Sequence, residues 1–502
     1  MKDDCSDFAQ WTKEGKLGGL DPLGMLTPIE NCYGQLLPGL TSVTVRYRYY
    51  SFFSWWIDEY TKDGASSSAS KFEEHLRRGE ALIALITLSA QDNIEGVETT
   101  SGVAGSEWAA REISASDDMI DFTIATSLET PKGEGKRYLD VLAYSAAYGS
   151  QLIEIGLMSR LEGYSLISPK PLGSALADAY RETNTEESLH LFKQCAAKGI
   201  ASKNDLLKMA IMRLSFLPSE CGERFFLRDL LMGRSSEGGE TRAATMKEIM
   251  IAAKNLGKVP TQDDLRWLWF DSDVGDDHPH RECRLAWQYY QVGDSLRVCM
   301  EAILFLSVRA ISDAGDNLRP QDVLFRLVEN IPDDLCLQDF FLSLSLTNED
   351  KTSADLSHTA IEARGPADDI LPLMARLYGR WSERIDELSQ VYPESDRFST
   401  PVSCLRFLKE RENDSTKQVL AQFILEKVIR QHLWIATRKM HTQGNFTYVL
   451  EFEDGRLSDR RAGDTGSSGP RTAIATRFLQ EVGLIDENGI TTAGEEEISN
   501  AA

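Results

Sequence analysis

Basic residues are in short supply in this chain: 54 Lys and Arg stand against 78 Asp and Glu in 502 residues, a formal net charge of −24. Such a field repels polyanions at long range, which excludes bulk-charge adhesion to DNA or anionic lipid; any nucleic-acid contact has to be local or arranged by a partner. No window nears the roughly 18 continuous apolar residues of a membrane span. The opening MKDDCSDFAQW is acidic and lacks the apolar core of a secretion signal. The eight cysteines, at 5, 32, 195, 221, 283, 299, 336 and 404, form no Cys-x-x-Cys pair and no zinc-like spacing to histidine. A cytoplasmic protein with reduced thiols and no membrane contact is expected.

Catalytic signatures are also missing. There is no Gly-x-Ser-x-Gly, and no cysteine sits in a nucleophile motif. The loop GSSGPRT at 466–472 shares only its glycines with a phosphate loop and has no lysine. The balance is against an enzyme, with no cofactor and no metal expected.

What the chain does have is one pattern written twice. Tyr148 to Ala177 (YGSQLIEIGLMSRLEGYSLISPKPLGSALA) and Ala473 to Ile498 (AIATRFLQEVGLIDENGITTAGEEEI) each place an apolar helix before Gly156-Leu157 or Gly483-Leu484. A short hairpin carrying Leu166-Ile167 or Ile490-Thr491 follows, and a helix reopens at Gly173 or Gly494. This is the layout of the second half of a winged helix, a module that binds nucleic acid or protein.

At this length one core is too few. An aromatic run, Val43 to Tyr60 (VTVRYRYYSFFSWWIDEY), reads as a buried helix with an extended lead-in, and Arg46 and Arg48 beside it read as structural struts before phosphate ligands. Lys71–Ala90 is a second helix; Gln91–Gly135 lacks periodicity; Lys136–Gly156 resumes as helix. Helices dominate from Thr183 to Gln418, with Ser202 and Asp205 offering caps. A long helix, Lys417–Lys439, and a strand, Phe446–Phe452, precede a loop at Gly463–Gly469 whose length suggests mobility. The expected fold is mainly α and multidomain: 1–135 an aromatic-rich helical domain with an irregular insertion, 136–185 a first winged-helix-like module, 186–418 a helical middle domain, and 419–502 a C-terminal winged-helix-like module.

From Lys427 to Arg477 nine Lys or Arg oppose five acids, the one positive stretch. Arg460, Arg461, Arg471 and Arg477, with Arg438 and Lys439, are the expected phosphate contacts. Three other clusters carry chemistry in principle. Asp271–Cys283 (DSDVGDDHPHREC) is rich in metal-ligand types but also reads as an exposed interhelical loop. Glu451, Glu453 and Asp454 near a strand end suit a metal-dependent nuclease, without the lysine such a site needs nearby. His432 and His441 with Arg430 and Arg438 suit phosphodiester chemistry, yet read better as a polar helix face.

Two end blocks resemble uncharacterised bacterial proteins encoded beside helicases and nucleases in antiphage defence islands. Leu37-Pro38-Gly39-Leu40-Thr41 with Arg48-Tyr49-Tyr50-Ser51-Phe52-Phe53-Ser54-Trp55 is similar to their Leu/Phe-Pro-Gly-x-Thr turn and Arg-Tyr-x-x-Phe-x-x-Trp helix; Phe478–Ile485 and Ile490–Gly494 are similar to their tails. The resemblance covers about a sixth of the chain and carries no catalytic residues. It supplies a context and no mechanism; taken with the winged-helix-like tail and the missing catalytic signatures, the expectation is a non-catalytic DNA-binding or adaptor subunit of a defence complex, alone or oligomeric, working with a helicase/ATPase or nuclease. A pure protein scaffold and a cryptic metal-dependent nuclease are the alternatives.

Overall fold

A computed structural model describes residues 21–62, 68–89, 101–133, 135–160, 167–234, 239–315, 317–346, 370–394, 398–444, 446–461, 463 and 465–499. It is mainly α, 64% helix, with strands only in small two-stranded ribbons among the described residues. The order begins α1 (Leu26–Leu36), α2 (Arg48–Lys62), α3 (Ala69–Ser89), α4 (Ser106–Ala115), β1 (Met119–Asp121), α5 (Thr123–Thr126), a π turn Tyr144–Tyr148, α6 (Gly149–Glu154), β2 (Met158–Arg160) and β3 (Ile167–Pro169). It continues with α7 (Pro171–Thr183), α8 (Glu186–Lys198), β4 (Ile200–Ser202), α9 (Lys203–Lys208), α10 (Gly222–Leu231), α11 (Gly239–Leu256), α12 (Gln262–Asp271), α13 (Arg281–Ser312), α14 (Pro320–Val328) and α15 (Leu337–Leu346). Last come α16 (Ile370–Trp381), α17 (Ile385–Leu388), α18 (Pro401–Glu410), α19 (Thr416–Phe423), a π turn Ile424–Ile429, α20 (Arg430–Gln443), β5 (Leu450–Glu453), β6 (Arg456–Asp459), α21 (Thr472–Glu481), β7 (Ile485–Asp486), β8 (Gly489–Ile490) and α22 (Thr492–Ser499). The ribbons pair β1 with β4, β2 with β3, β5 with β6 and β7 with β8, all antiparallel. No described helix is long and apolar enough to cross a membrane.

The chain divides into two compact units, each assembled from separate stretches. Unit 1 takes the residues up to Tyr33, Trp269–Ser272 and Leu285–Ser468; unit 2 takes Gly34–Leu268, Asp273–Arg284 and the residues from Gly469. The units do not follow the four expected segments. Segment 136–185 lies within unit 2, whereas 1–135, 186–418 and 419–502 are each shared, the first parting between Tyr33 and Gly34 and the last between Ser468 and Gly469.

Unit 2 is built on α2. Its first twelve residues, Arg48 to Glu59, are all buried, the mark of a helix with no solvent face. Tyr49 stacks on Phe53 with centroids 5.4 Å apart, and Trp55 on Tyr180 of α7 at 5.3 Å. On α3, a side chain at Gly79 would meet the Trp56 ring at 2.2 Å, so the two helices cross where only glycine fits. Arg48, 1% exposed, donates from Nε and Nη2 to Glu223 of α10 at 3.0 Å each, and from Nη1 to the carbonyls of Ile211, Arg213 and Phe216 at 2.6–2.8 Å. Arg46 pairs with Glu481 at 3.1 Å. Both arginines are struts, as their aromatic setting suggests.

Several local expectations need correction. The helix expected from Lys136 starts only at Ala143, because a distant carboxylate fixes its start: Glu80 of α3 accepts from the N–H groups of Ala143 and Tyr144 at 2.9 Å each. Burial outweighs these bonds and pushes the Glu80 carboxyl up to about 7. The stretch 91–135, read as irregular, contains α4 and β1 among its described residues. Ser202 and Asp205 do form a reciprocal cap on α9, at 3.0 and 3.1 Å.

Unit 1 holds most of α13 and the helices from α14 to α20. Thr465, Gly466 and Ser468 of the loop expected to be mobile are tied down by buried charge on α13. Asp294 accepts from the Ser468 N–H at 3.0 Å, Glu301 from the Thr465 hydroxyl at 2.9 Å, and Arg297 bridges both carboxylates while donating to the Gly466 carbonyl. His432 is not on a polar face but buried. Its Nδ1 lies 3.1 Å from the Pro22 carbonyl, and its Nε2 accepts from the N–H groups of Val449 and Leu450 at 3.1 and 3.3 Å. With two donors spent on the imidazole, the strand expected over 446–452 begins only at Leu450.

Two predictions follow from these buried groups. Glu223→Ala leaves the Arg48 guanidinium uncompensated and is expected to cost about 3–5 kcal/mol in urea unfolding; a loss below about 1 kcal/mol would show the pair to be dispensable. His432 is needed neutral, and burial holds its imidazole down at about 4 against an ordinary 6.5. The unfolded chain therefore takes the proton first, so stability is complete above pH 6.5 and falls as pH drops toward 4, by about 3 kcal/mol in all. Unfolding midpoints at pH 7.5 and 5 measure this, and the pH dependence should shrink in His432→Asn.

Candidate nucleic-acid interface

The two repeats share the same backbone hydrogen bonds at the helix stop and at the hairpin's close. In the first, Gly156 has φ +80° and the Leu157 N–H reaches back to the Leu152 carbonyl at 2.9 Å; in the second, Gly483 has φ +73° and the Leu484 N–H reaches Leu479 at 2.9 Å. This is a Schellman-type stop, which needs a left-handed residue, hence glycine, and is sealed by a buried apolar side chain. Leu157 and Leu484 are both wholly buried. The hairpin then closes on the same leucine: Lys170 N–H to the Leu157 carbonyl at 2.9 Å, Thr491 N–H to the Leu484 carbonyl at 3.1 Å. Lys170 follows Leu157 by thirteen positions and Thr491 follows Leu484 by seven, so the first copy is six residues longer here.

The second glycine of each repeat does not open the helix, as its position suggests; α7 and α22 start two residues earlier, at Pro171 and Thr492. Its role is proximity. A Cβ on Gly173 would lie 2.1 Å from the Leu157 carbonyl oxygen, and one on Gly494 2.2 Å from that of Leu484. Both repeats lie in unit 2.

In a winged helix the helix ahead of the hairpin reads the DNA groove. Here both such helices bury one face in the protein. In the first, Tyr144, Ala147, Tyr148, Gly149, Gln151 and Leu152 are buried. In the second, Thr472, Ala475, Thr476, Phe478 and Leu479 of α21 are buried, Tyr47 stacks on Phe478 at 4.3 Å, and α11 packs on α21, β8 and α22.

The six expected phosphate contacts are divided between the two units. Arg471 caps α21 at φ +65° and donates to the Leu40 carbonyl at 2.5 Å. Arg477 reaches the Ser101 hydroxyl at 3.2 Å and stands 3.8 Å from Glu481. These two lie in unit 2 and the other four in unit 1. Arg460 pairs with Glu451 at 2.5 Å, and Arg461 is half-buried. Lys439 donates to the Asp21 carbonyl at 2.8 Å, and burial pulls its ammonium below the ordinary lysine value. Arg438 alone is exposed on a helix face, its guanidinium 5.2 Å above the Trp434 ring.

The other clusters resolve as follows. Glu453 pairs in register with Arg456 around Asp454 and Gly455, whose φ values of +50° and +75° make the two-residue turn that Asp-Gly favours. In the Asp271–Cys283 segment, His280 Nδ1 lies 3.0 Å from Glu248 of α11, and Arg284 holds the second oxygen of that carboxylate at 3.1 Å. Glu248 was invisible as a partner in the sequence, being one more residue on the buried side of α11. Among the described residues no group of three His, Cys, Asp or Glu is arranged to hold a metal ion. No protein family, curated protein or solved structure matches the chain.

The equivalence of the repeats is open to direct test. Gly173→Ala and Gly494→Ala should each lose about 1–3 kcal/mol, since a backbone oxygen cannot swing aside. Gly156→Ala, with open space around it but φ +80°, should lose about 1–2 kcal/mol. Wild-type unfolding of Gly494→Ala in urea would break the correspondence.

Proposed function

We propose that this chain is a non-catalytic adaptor of a bacterial antiphage defence complex, one that holds a basic helicase, ATPase or nuclease subunit by protein contact and does not read duplex DNA through its repeats. The observation that carries this reading is the inward turn of both pre-hairpin helices, with Arg471 and Arg477 bound to groups of the chain itself. A groove-reading helix needs cations on its free face: the first copy leaves Ser145, Ala146, Ser150 and Glu154 exposed and no Lys or Arg, and in the second, beside the exposed Ala473 and Gln480, Arg477 is held by Ser101 and Glu481.

The rest of the surface suits a protein partner. A net charge of −24 steers basic surfaces toward the chain, and enzymes that handle nucleic acid carry such surfaces. Apolar side chains are left open around the β1–β4 ribbon of unit 2: Met119 is 55% exposed, Ile124 69% and Leu207 48%. The exposed Asp117, Asp118 and Asp121 flank them, giving apolar anchors with an acidic rim. The likeness of the two end blocks to proteins encoded beside helicases and nucleases supplies the class of partner.

Co-expression with the helicase or nuclease encoded beside the gene should yield a complex of fixed stoichiometry by light scattering. Ile124→Asp and Met119→Asp, both on exposed positions, should weaken it about tenfold or more without changing the thermal midpoint. Tight, salt-sensitive binding to duplex DNA that disappears in Arg471→Glu/Arg477→Glu would overturn the reading.

A further inference from the structure

One stretch of unit 1 reverses the charge of the chain. Between the exposed Glu426 and the half-buried Glu451, from Lys427 to Leu450, the sequence has two Lys and two Arg and no Asp or Glu, where the average density of acids would place about four. Most of it is α20. Turning by 100° per residue, Arg430, Trp434, Thr437, Arg438 and His441 of α20 fall on one face, and Lys427 stands in the π turn just before it. The opposite face, with Gln431, His432, Ile435 and Ala436, is buried, which fixes the first face outward. Arg430, Thr437, Arg438 and His441 are exposed, and Trp434 is 37% exposed.

Aromatic rings interleave with these cations. Phe398, 38% exposed, stacks on Trp434 with centroids 6.2 Å apart and planes 24° from parallel. The Tyr448 hydroxyl meets Thr437 at 2.8 Å, and Phe446 lies 5.2 Å from the Tyr448 ring. Among the described residues Lys427, Arg430 and Arg438 have no carboxylate partner. That sets them apart from Arg460 and Arg477, whose carboxylates lie within one ion-pair distance.

We infer that the outer face of α20, with Phe398 and Tyr448 beside it, is a binding surface for single-stranded nucleic acid. Arginines on a helix face supply forked donors to phosphate oxygens, and half-exposed rings supply stacking surfaces for bases. An acidic protein segment would also be attracted. The one-sided depletion decides between them: protein interfaces shed lysine and acids alike, whereas this stretch sheds only acids, as a polyanion requires. The acidic remainder of the chain limits the contact to this face. This inference goes beyond the adaptor reading and is independent of it, since it concerns unit 1 and that reading concerns unit 2.

The test uses the full chain and a fluorescent oligothymidylate of about 20 nucleotides, with anisotropy read at 50 and 200 mM NaCl. Binding should weaken with salt with a log–log slope of about −2, as three phosphate contacts predict. Arg430→Glu/Arg438→Glu should weaken it at least tenfold, and Trp434→Ala about five- to tenfold. Arg471→Glu/Arg477→Glu should leave it unchanged. These side chains are on the surface, and thermal midpoints equal to wild type establish that the variants are folded. No binding at 50 mM NaCl, or equal binding by Arg430→Glu/Arg438→Glu, overturns the inference. So does displacement of nothing by oligothymidylate from a labelled poly-glutamate peptide that binds this face, which would make the surface a dock for acidic protein.

Discussion

Arg48 and Glu223 form the contact on which unit 2 is organised, and the physics of that pair explains why. An arginine at the first turn of a helix faces the positive end of the helix dipole, an unfavourable place for a cation. Burying it adds the desolvation cost of a full charge. Arg48 bears both because Glu223 meets it with two oxygens at 3.0 Å and three backbone carbonyls fill the remaining fork. Glu223 in turn sits in the first turn of α10, where the dipole favours an acid, and accepts from Ser51 at 2.5 Å. The pair thus joins the start of α2, the start of α10 and the 211–216 connection at a single point. Remove either partner and the other is a buried charge with no match.

That constraint also bears on the repeats. With α2 fixed, α7 packs along it, and α7 is the closing helix of the first copy. The second copy is held by Arg46 and the Tyr47 N–H, which both reach Glu481 at the end of α21. Adjacent residues of one strand-like lead-in therefore bind the second copy and, through α2, the first. A helix–hairpin–helix unit is compact and easily reused, and this chain uses it twice to fill a core.

What could be read in the sequence was what local chemistry dictates. Gly156-Leu157 and Gly483-Leu484 are legible because a left-handed stop followed by a buried leucine has few alternatives. Asp454-Gly455 and the Ser202/Asp205 cap are legible for the same reason. What could not be read depends on partners far along the chain. Glu80 sets a helix start more than sixty residues away, β1 pairs with β4 across some eighty residues, and His432 takes the donors that would have extended β5. The surroundings of the arginines expected to meet phosphate were the least legible, because a count of arginines does not say which have been neutralised. Arg460 and Arg471 look alike in sequence; one meets a carboxylate and the other a carbonyl.

The same distinction separates the two charged surfaces of this protein. Net charge acts at long range and is screened within about 8 Å at physiological salt, so a face poor in acids can attract a polyanion locally although the whole molecule repels it. For such a face to bind, its cations must be unpaired before the ligand arrives, since breaking an internal ion pair forfeits what the new contact contributes. Arg477 would have to leave Glu481, whereas Arg438 rests over an indole that a base can share. A ring does not compete with phosphate for a guanidinium's edge donors, because the cation–π contact uses its flat face. An arginine lying on tryptophan is therefore oriented but not neutralised, which is the state a phosphate-binding side chain requires.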